Sequence, residues 1–90
     1  MPKISFTTAL RRFFPTLKSV QVSGETLYDV LNEVERLHPG IKDYILEQDG
    51  SLRKHVNIFI AGTLIADRRE LSDPFNSDDE IYIFQALSGG

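Results

Sequence analysis

The sequence predicts an α+β fold in which one amphipathic helix packs against one face of a mixed β-sheet. An apolar stripe with helical spacing begins at Leu27, and short segments of alternating apolar and polar residues lie on both sides of it. The predicted order is β-β-α-β-β, and a further short strand can follow near Leu64. A chain of 90 residues is long enough for a single hydrophobic core and too short for two, so we expect one domain.

Two alternating segments near the N-terminus predict an opening hairpin. Ile4 and Phe6 alternate with polar neighbours. After a loop from Arg11 to Leu17, Val20 and Val22 alternate in the same way. A shift of one residue in the pairing would turn both valines to solvent, so the sequence specifies the register of this hairpin.

The helix is the most clearly predicted element. Its apolar residues follow the i, i+3, i+4, i+7 spacing of an amphipathic helix: Leu27, Val30, Leu31, Val34 and Leu37. Thr26 is a suitable N-cap, and Asp29 stands three residues later, where a capping box needs an acceptor. We expect the helix to end at His38, because Pro39 disfavours helical backbone before it and Gly40 permits a turn.

The second half of the chain is predicted to complete the sheet. Residues 41–46 fit a short helical turn, and residues 56–60 alternate as a third strand. Gly62 marks a tight turn toward Leu64, and residues 81–84 alternate as the last strand. The chain therefore offers one sheet with a single main helix to cover it.

Strand periodicity sorts the later strands into two faces. Four isoleucines are predicted to meet the helix: Ile58, Ile60, Ile81 and Ile83. Phe59, Tyr82 and Phe84 then point to the opposite face, which stays uncovered unless residues 41–54 fold over it. Exposed apolar patches usually mark binding sites, so these aromatics are predicted to bind a partner, with Leu87 extending the surface.

Composition and spacing exclude several kinds of site. The formal net charge is −3, and the basic pairs Arg11-Arg12, Arg53-Lys54 and Arg68-Arg69 are isolated in the sequence, so nucleic acid is not an expected partner. The absence of cysteine excludes a disulfide scaffold and a cysteine nucleophile. His38 and His55 lack the spacing of metal ligands, and no catalytic constellation is present.

The sequence also bears on where the protein works. No apolar stretch approaches the roughly 20 residues of a membrane span. The N-terminus proceeds directly into a strand pattern, without the apolar region and cleavage site of a signal peptide. We therefore expect a cytoplasmic protein that does not bind membranes.

From Ile4 to Gly90, the sequence resembles the ubiquitin-like sulfur carriers of the MoaD/ThiS type, which have a β-grasp fold. Three segments carry the resemblance: Gly24–Leu27 at the start of the helix, His55–Ile60 as the middle strand, and Asp78–Phe84 followed by Ala86–Gly90. Gly89 and Gly90 alone are a weak motif. Their position shortly behind this strand pattern makes the motif specific.

The resemblance implies a protein cosubstrate that is not itself an enzyme and binds no cofactor. An E1-like activating enzyme of the MoeB/ThiF type would use ATP to adenylate the carboxylate of Gly90, and a sulfur donor would convert it to a thiocarboxylate. A sulfur-accepting biosynthetic enzyme would be the second partner. In a flexible tail of residues 86–90, Gly89 and Gly90 lack a Cβ and can pass a narrow channel, and Ser88 serves as a spacer.

Other functions are compatible with the same residues. A ubiquitin-like modifier would be linked through Gly90 to lysines of other proteins, and a passive β-grasp interaction domain would not use Gly90 at all. Among carriers, the long segment of residues 39–55 disfavours the compact thiamin type. Residues 87–90 are compatible with a molybdopterin-synthase small subunit, whereas residues 45–57 look more like carriers that serve cysteine or thiocarboxylate-metabolite synthesis.

Overall fold

A computed structural model describes residues 1–85 of the chain. Its strands are β1 (Lys3–Phe6), β2 (Val20–Gln21), β3 (Val56–Ile60), β4 (Thr63–Leu64) and β5 (Glu80–Gln85). Its helices are α1 (Thr8–Arg11), α2 (Leu27–Leu37) and α3 (Ile41–Ile45). The predicted elements are all present, and the short α1 is an addition that the sequence did not predict, because its four residues are too few for a helical pattern.

The strands form one mixed sheet in the order β2-β1-β5-β3-β4. β1 and β5 run parallel at the centre, with Ile4 opposite Ile81. β2 pairs antiparallel with β1, so the predicted opening hairpin is present. β3 pairs antiparallel with both β5 and β4. Strand β5, the last one in residues 1–85, therefore lies between β1 and β3. Its C-terminal end meets the end of β1 and the start of β3.

Helix α2 begins with the predicted capping box. The amide of Asp29 donates to Oγ1 of Thr26 at 3.1 Å, and the Asp29 carboxylate accepts from the amide of Thr26 at 3.3 Å. Leu37, the last residue of the predicted stripe, is 43% exposed. The helix ends at this residue and the chain turns at Pro39, so only the first four members of the stripe are buried in the core.

The core lies between α2 and one face of the sheet. Ile4, Ile58 and Ile83 are fully buried from the sheet side, and Val30 and Val34 are fully buried from the helix side. Each buried aliphatic side chain of this size contributes about 1.5–3 kcal/mol to folding. The isoleucines that were predicted to face the helix therefore do so.

A carboxylate fixes the corner between α2 and α3. Glu35 accepts hydrogen bonds from the amides of Gly40 at 2.8 Å and Lys42 at 2.9 Å. These two backbone donors hold the pKa of the Glu35 carboxyl below its ordinary value. Gly40 has a φ of 98°, a conformation in which a larger residue would be strained. Glu35 thereby sets the position of α3, which carries Tyr44.

Residues 66–73 are likewise held by carboxylates. Asp67 accepts from the amide of Glu70 at 3.0 Å and from the hydroxyl of Ser72, and these bonds lower its pKa from the ordinary 3.8 to about 2. Asp73 accepts from the amides of Ala66 and Asp67. The loop between β4 and β5 therefore has a defined shape although it contains no helix or strand.

Candidate functional site

The three aromatic residues predicted to bind a partner lie together on the face of the sheet opposite α2. Phe59 stands opposite Tyr82 in the β3–β5 register, and their ring centroids are 6.5 Å apart. The rings of Tyr82 and Phe84, on the same strand, are also 6.5 Å apart. We call this surface the open face.

The open face is only partly covered. Phe84 is 37% exposed, and Phe59 and Tyr82 are half-buried. The segment 41–54 does not fold over them, because its buried side chains belong to the core on the helix side: Ile41, Ile45, Leu46 and Leu52. The aromatic rings are therefore available to a partner.

Leu64 is a further member of the open face. It stands opposite Phe59 in the β3–β4 register and is 50% exposed. The sequence predicted a turn at Gly62 and a short strand beyond it, but it did not assign Leu64 to either face. The two-residue turn Ala61-Gly62 could have assigned Leu64 to this face, because such a turn fixes the register of a hairpin. Both turn residues have a positive φ in the structure.

The other half of the open face is polar. The hydroxyl of Ser5 donates to the Glu80 carboxylate at 2.8 Å and lies 3.1 Å from the hydroxyl of Ser19. Nζ of Lys3 lies 4.0 Å from the same carboxylate. The apolar part of the open face is therefore confined to β3, β4 and β5.

Strand β5 is held on both sides up to Gln85. The amide of Gln85 donates to Oγ1 of Thr7 at 3.1 Å, and the amide of Thr7 donates to the carbonyl of Ile83 at 3.2 Å. On the other side, Gln85 pairs with Val56. The remaining predicted site residues lie outside the described residues: Leu87, Ser88, Gly89 and Gly90.

A groove of about 560 Å³ lies beside Gln85 on the helix side of the sheet. It is lined by Gly40, Asp43, Tyr44, Arg53 and Gln85. The Oε1 atom of Gln85 is buried and accepts no hydrogen bond from residues 1–85. The groove has no signal in the sequence, because the residues that line it come from segments that are distant in the chain.

Within residues 1–85, no group of three or more His, Asp or Glu side chains is arranged to hold a metal ion. No helix among those same residues has the length and apolar character needed to cross a membrane.

The family follows from comparison with known proteins. Residues 4–90 match the family model described as the ThiS family. This chain belongs to the ThiS family. The resemblance found in the sequence is therefore confirmed over nearly its whole length.

Similar proteins include both carriers and modifiers. The sulfur carrier protein CysO of Mycobacterium tuberculosis is 29% identical over 89 residues, which cover 97% of this chain and 96% of that protein. Small archaeal modifier protein 1 of Haloferax volcanii is 31% identical over 72 residues, which cover 79% of this chain and 78% of that protein.

The fold agrees with these relatives. A chain in the crystal structure of the Amycolatopsis orientalis BexX/CysO complex superposes on this protein with a TM-score of 0.83 at 25% identity. The superposition covers 100% of this chain and 100% of that one. The ubiquitin-like β-grasp predicted from the sequence is thus confirmed. This ThiS-family protein is a homologue of a sulfur carrier protein and of a small archaeal modifier protein.

Proposed function

We propose that this ThiS-family protein is a cytoplasmic sulfur carrier that is adenylated and then thiocarboxylated at Gly90. The observation that carries the proposal is the family match, which extends through Gly90, together with the nearly full-length similarity to the sulfur carrier protein CysO. In this role the protein is a cosubstrate of other enzymes and needs no active site or cofactor of its own.

Activation solves a chemical problem at the carboxylate. A C-terminal carboxyl group has a pKa of roughly 3.3–3.7, so at neutral pH it is an anion and a poor electrophile. In the proposed reaction, an oxygen of the Gly90 carboxylate attacks the α-phosphorus of ATP and pyrophosphate leaves. The outer sulfur of a persulfide then attacks the acyl carbon and AMP leaves. A thiol cleaves the resulting acyl disulfide, which yields a new disulfide and the thiocarboxylate.

Docking of the folded body supports this chemistry energetically. Ordering a backbone residue costs about 1–2 kcal/mol, so five residues from Ala86 to Gly90 need compensation from contacts elsewhere. The open face can supply such contacts, because buried aromatic anchors often contribute 2 kcal/mol or more each. We therefore assign Phe59, Tyr82 and Phe84 to the binding of an E1-like activating enzyme of the MoeB/ThiF type, with Leu87 extending that surface.

Adenylation can be tested by ATP–pyrophosphate exchange with a purified E1-like activating enzyme from the same cell. The intact chain should support exchange, and a variant lacking Gly90 should not, because the carboxylate is then withdrawn by one residue. Ser88→Ala is the matched control and should retain exchange, since a spacer needs no hydroxyl. Exchange at the wild-type rate without Gly90, or none with the intact chain, would contradict the proposal.

A second candidate function is conjugation to other proteins. It is favoured by the similarity to small archaeal modifier protein 1, at 31% identity. In that case Gly90 would form isopeptide bonds with lysines, and higher-mass conjugates of this chain would appear in cell extracts. A carrier would instead pass its sulfur to a biosynthetic enzyme. Residues 45–57 resemble those of carriers that serve cysteine or thiocarboxylate-metabolite synthesis, so we place these pathways ahead of molybdopterin synthesis.

A further inference from the structure

The fold brings together basic residues that are isolated pairs in the sequence. Nη2 of Arg68 donates to the carbonyl of Arg53 at 2.7 Å, and Nε of Arg53 donates to the carbonyl of Asp43 at 2.6 Å. The neighbour of Asp43, Tyr44, stacks on Phe13, which directly follows Arg11 and Arg12. A continuous set of contacts therefore links these segments around the end of β5.

These cations are largely free of acidic partners. Among residues 1–85, Arg11, Arg12 and Lys54 form no salt bridge, and all three are exposed. Arg53 pairs with Glu47 at 3.1 Å but keeps 44% of its side chain exposed. An exposed pair of this kind contributes little to stability, so the guanidinium can exchange partners at low cost.

The opposite end of the sheet has the reverse charge. There β5 begins, where the amide of Lys3 donates to the carbonyl of Asp79 at 3.2 Å. Asp78, Asp79 and Glu80 follow one another at this end. The charge is therefore unevenly distributed: three acidic residues follow one another at this end, although Lys3 lies near Glu80, and basic residues outnumber Asp43 and Glu47 around Arg53.

A cluster of three aromatic side chains lies beside these basic residues. The rings of Phe13 and Tyr44 are stacked with centroids 4.8 Å apart, and Phe14 meets Tyr44 edge-on at 5.3 Å. Phe13 is 54% exposed although it is a large apolar side chain. Aromatic and arginine side chains are the residue types enriched at the energetic centres of protein interfaces.

The reach of the chain beyond Gln85 limits where a partner can sit. Five residues follow Gln85, and a fully extended segment of that length spans at most roughly 18 Å. The folded body measures 35 Å along its longest axis. An enzyme whose active site holds the Gly90 carboxylate must therefore lie within that distance of Gln85, whose side chain lines the same groove as Tyr44 and Arg53.

We propose that these residues form a second docking surface for the activating enzyme, separate from the open face. We call it the collar: Arg11, Arg12, Phe13, Tyr44 and Arg53. Its chemistry fits an acidic protein surface with an apolar pocket, in which carboxylates pair with the guanidinium groups and the pocket receives Phe13. This inference rests on the proposed function, since it names the surface that brings the activating enzyme to Gly90.

The test compares two double variants that remove the same charge. Arg11→Gln with Arg12→Gln removes the unpaired cations of the collar. Arg36→Gln with Arg69→Gln removes two exposed cations outside it, of which Arg36 loses only a surface pair with Glu33. The probe is the purified E1-like activating enzyme, and the readout is ATP–pyrophosphate exchange as a function of carrier concentration.

We expect the collar variant to raise the KM for the carrier about tenfold, with kcat unchanged, because these contacts bind the ground state and the transition state equally. The control variant should change KM less than about twofold. Raising the ionic strength should increase the wild-type KM and affect the collar variant less, since screening weakens contacts that the variant no longer makes.

The apolar part of the collar is tested by Phe13→Ser. Because Phe13 is more than half exposed, this variant should melt near the wild-type temperature and still show a raised KM. Exchange with equal KM for wild type, collar variant and Phe13→Ser overturns the collar and leaves the proposed function intact. No exchange with the wild-type chain overturns the proposed function and the collar together.

Discussion

The two faces of strands β3 and β5 differ completely in burial although they are built from alternate residues of the same segments. Ile58 and Ile83 are fully buried under α2, whereas their neighbours Phe59 and Phe84 are half-buried and 37% exposed, respectively. The difference arises because only one face receives a helix. Adjacent residues therefore serve folding and recognition separately, and single substitutions should distinguish the two roles.

The largest effect on stability is expected on the helix side. Ile58→Ala should lower the free energy of unfolding by about 2–5 kcal/mol, because it removes a fully buried side chain and leaves a cavity. Urea denaturation followed by circular dichroism measures this loss. A loss below about 1 kcal/mol would show that Ile58 is not a core residue.

Phe59, the residue next to Ile58, should contribute more to partner binding than to stability. Phe59→Ala is expected to weaken binding to the activating enzyme by about 2 kcal/mol, or roughly 30-fold, while lowering the melting temperature less than Ile58→Ala does. Binding is measured by titration calorimetry and stability by thermal melting. Unchanged affinity together with a large loss of stability would assign Phe59 to the core.

A smaller effect on stability is expected at the N-terminus of α2, the helix that covers only one face of the sheet. Thr26→Ala should cost about 1 kcal/mol, because Asp29 loses the side-chain acceptor for its amide. Thr26→Ser keeps that acceptor and should retain most of the stability in the same urea experiment. Equal losses for the two variants would show that the capping box does not stabilise α2.

The smallest effect is expected in the loop outside both faces, and it depends on pH. The pKa of Asp67 falls from 3.8 to about 2 on folding, so its ionised form stabilises the protein above pH 3.8, and that stabilisation is lost as the pH falls toward 2. Asp67→Asn should therefore reduce the dependence of the melting temperature on pH between about 4 and 2. An unchanged pH dependence would show that these hydrogen bonds do not matter to stability.

The fold could be predicted from the sequence because its signals are local. The spacing from Leu27 to Val34 defines α2, Thr26 and Asp29 define its first turn, and alternation in residues 56–60 separates the two faces. Leu37 belongs to the predicted apolar stripe but is 43% exposed, because periodicity does not show where the chain leaves the sheet.

The collar could not be predicted, since proximity across the fold has no local signal. The stacking of Phe13 on Tyr44 connects the segment of Arg11 and Arg12 to α3, and the contacts of Glu35 with the next turn position Tyr44. In the sequence these are isolated charges and unrelated aromatics. Topology makes them one surface.

The central claim is that Gly90 accepts sulfur, and intact-mass spectrometry tests it most directly. The chain is incubated with the activating enzyme, ATP, a persulfide donor and a thiol, and its mass is compared with that of a variant lacking Gly90. We predict that the intact chain gains the mass difference of one sulfur for one oxygen and that the variant gains nothing. The same gain in the shortened variant, or no gain in the intact chain, would contradict the account.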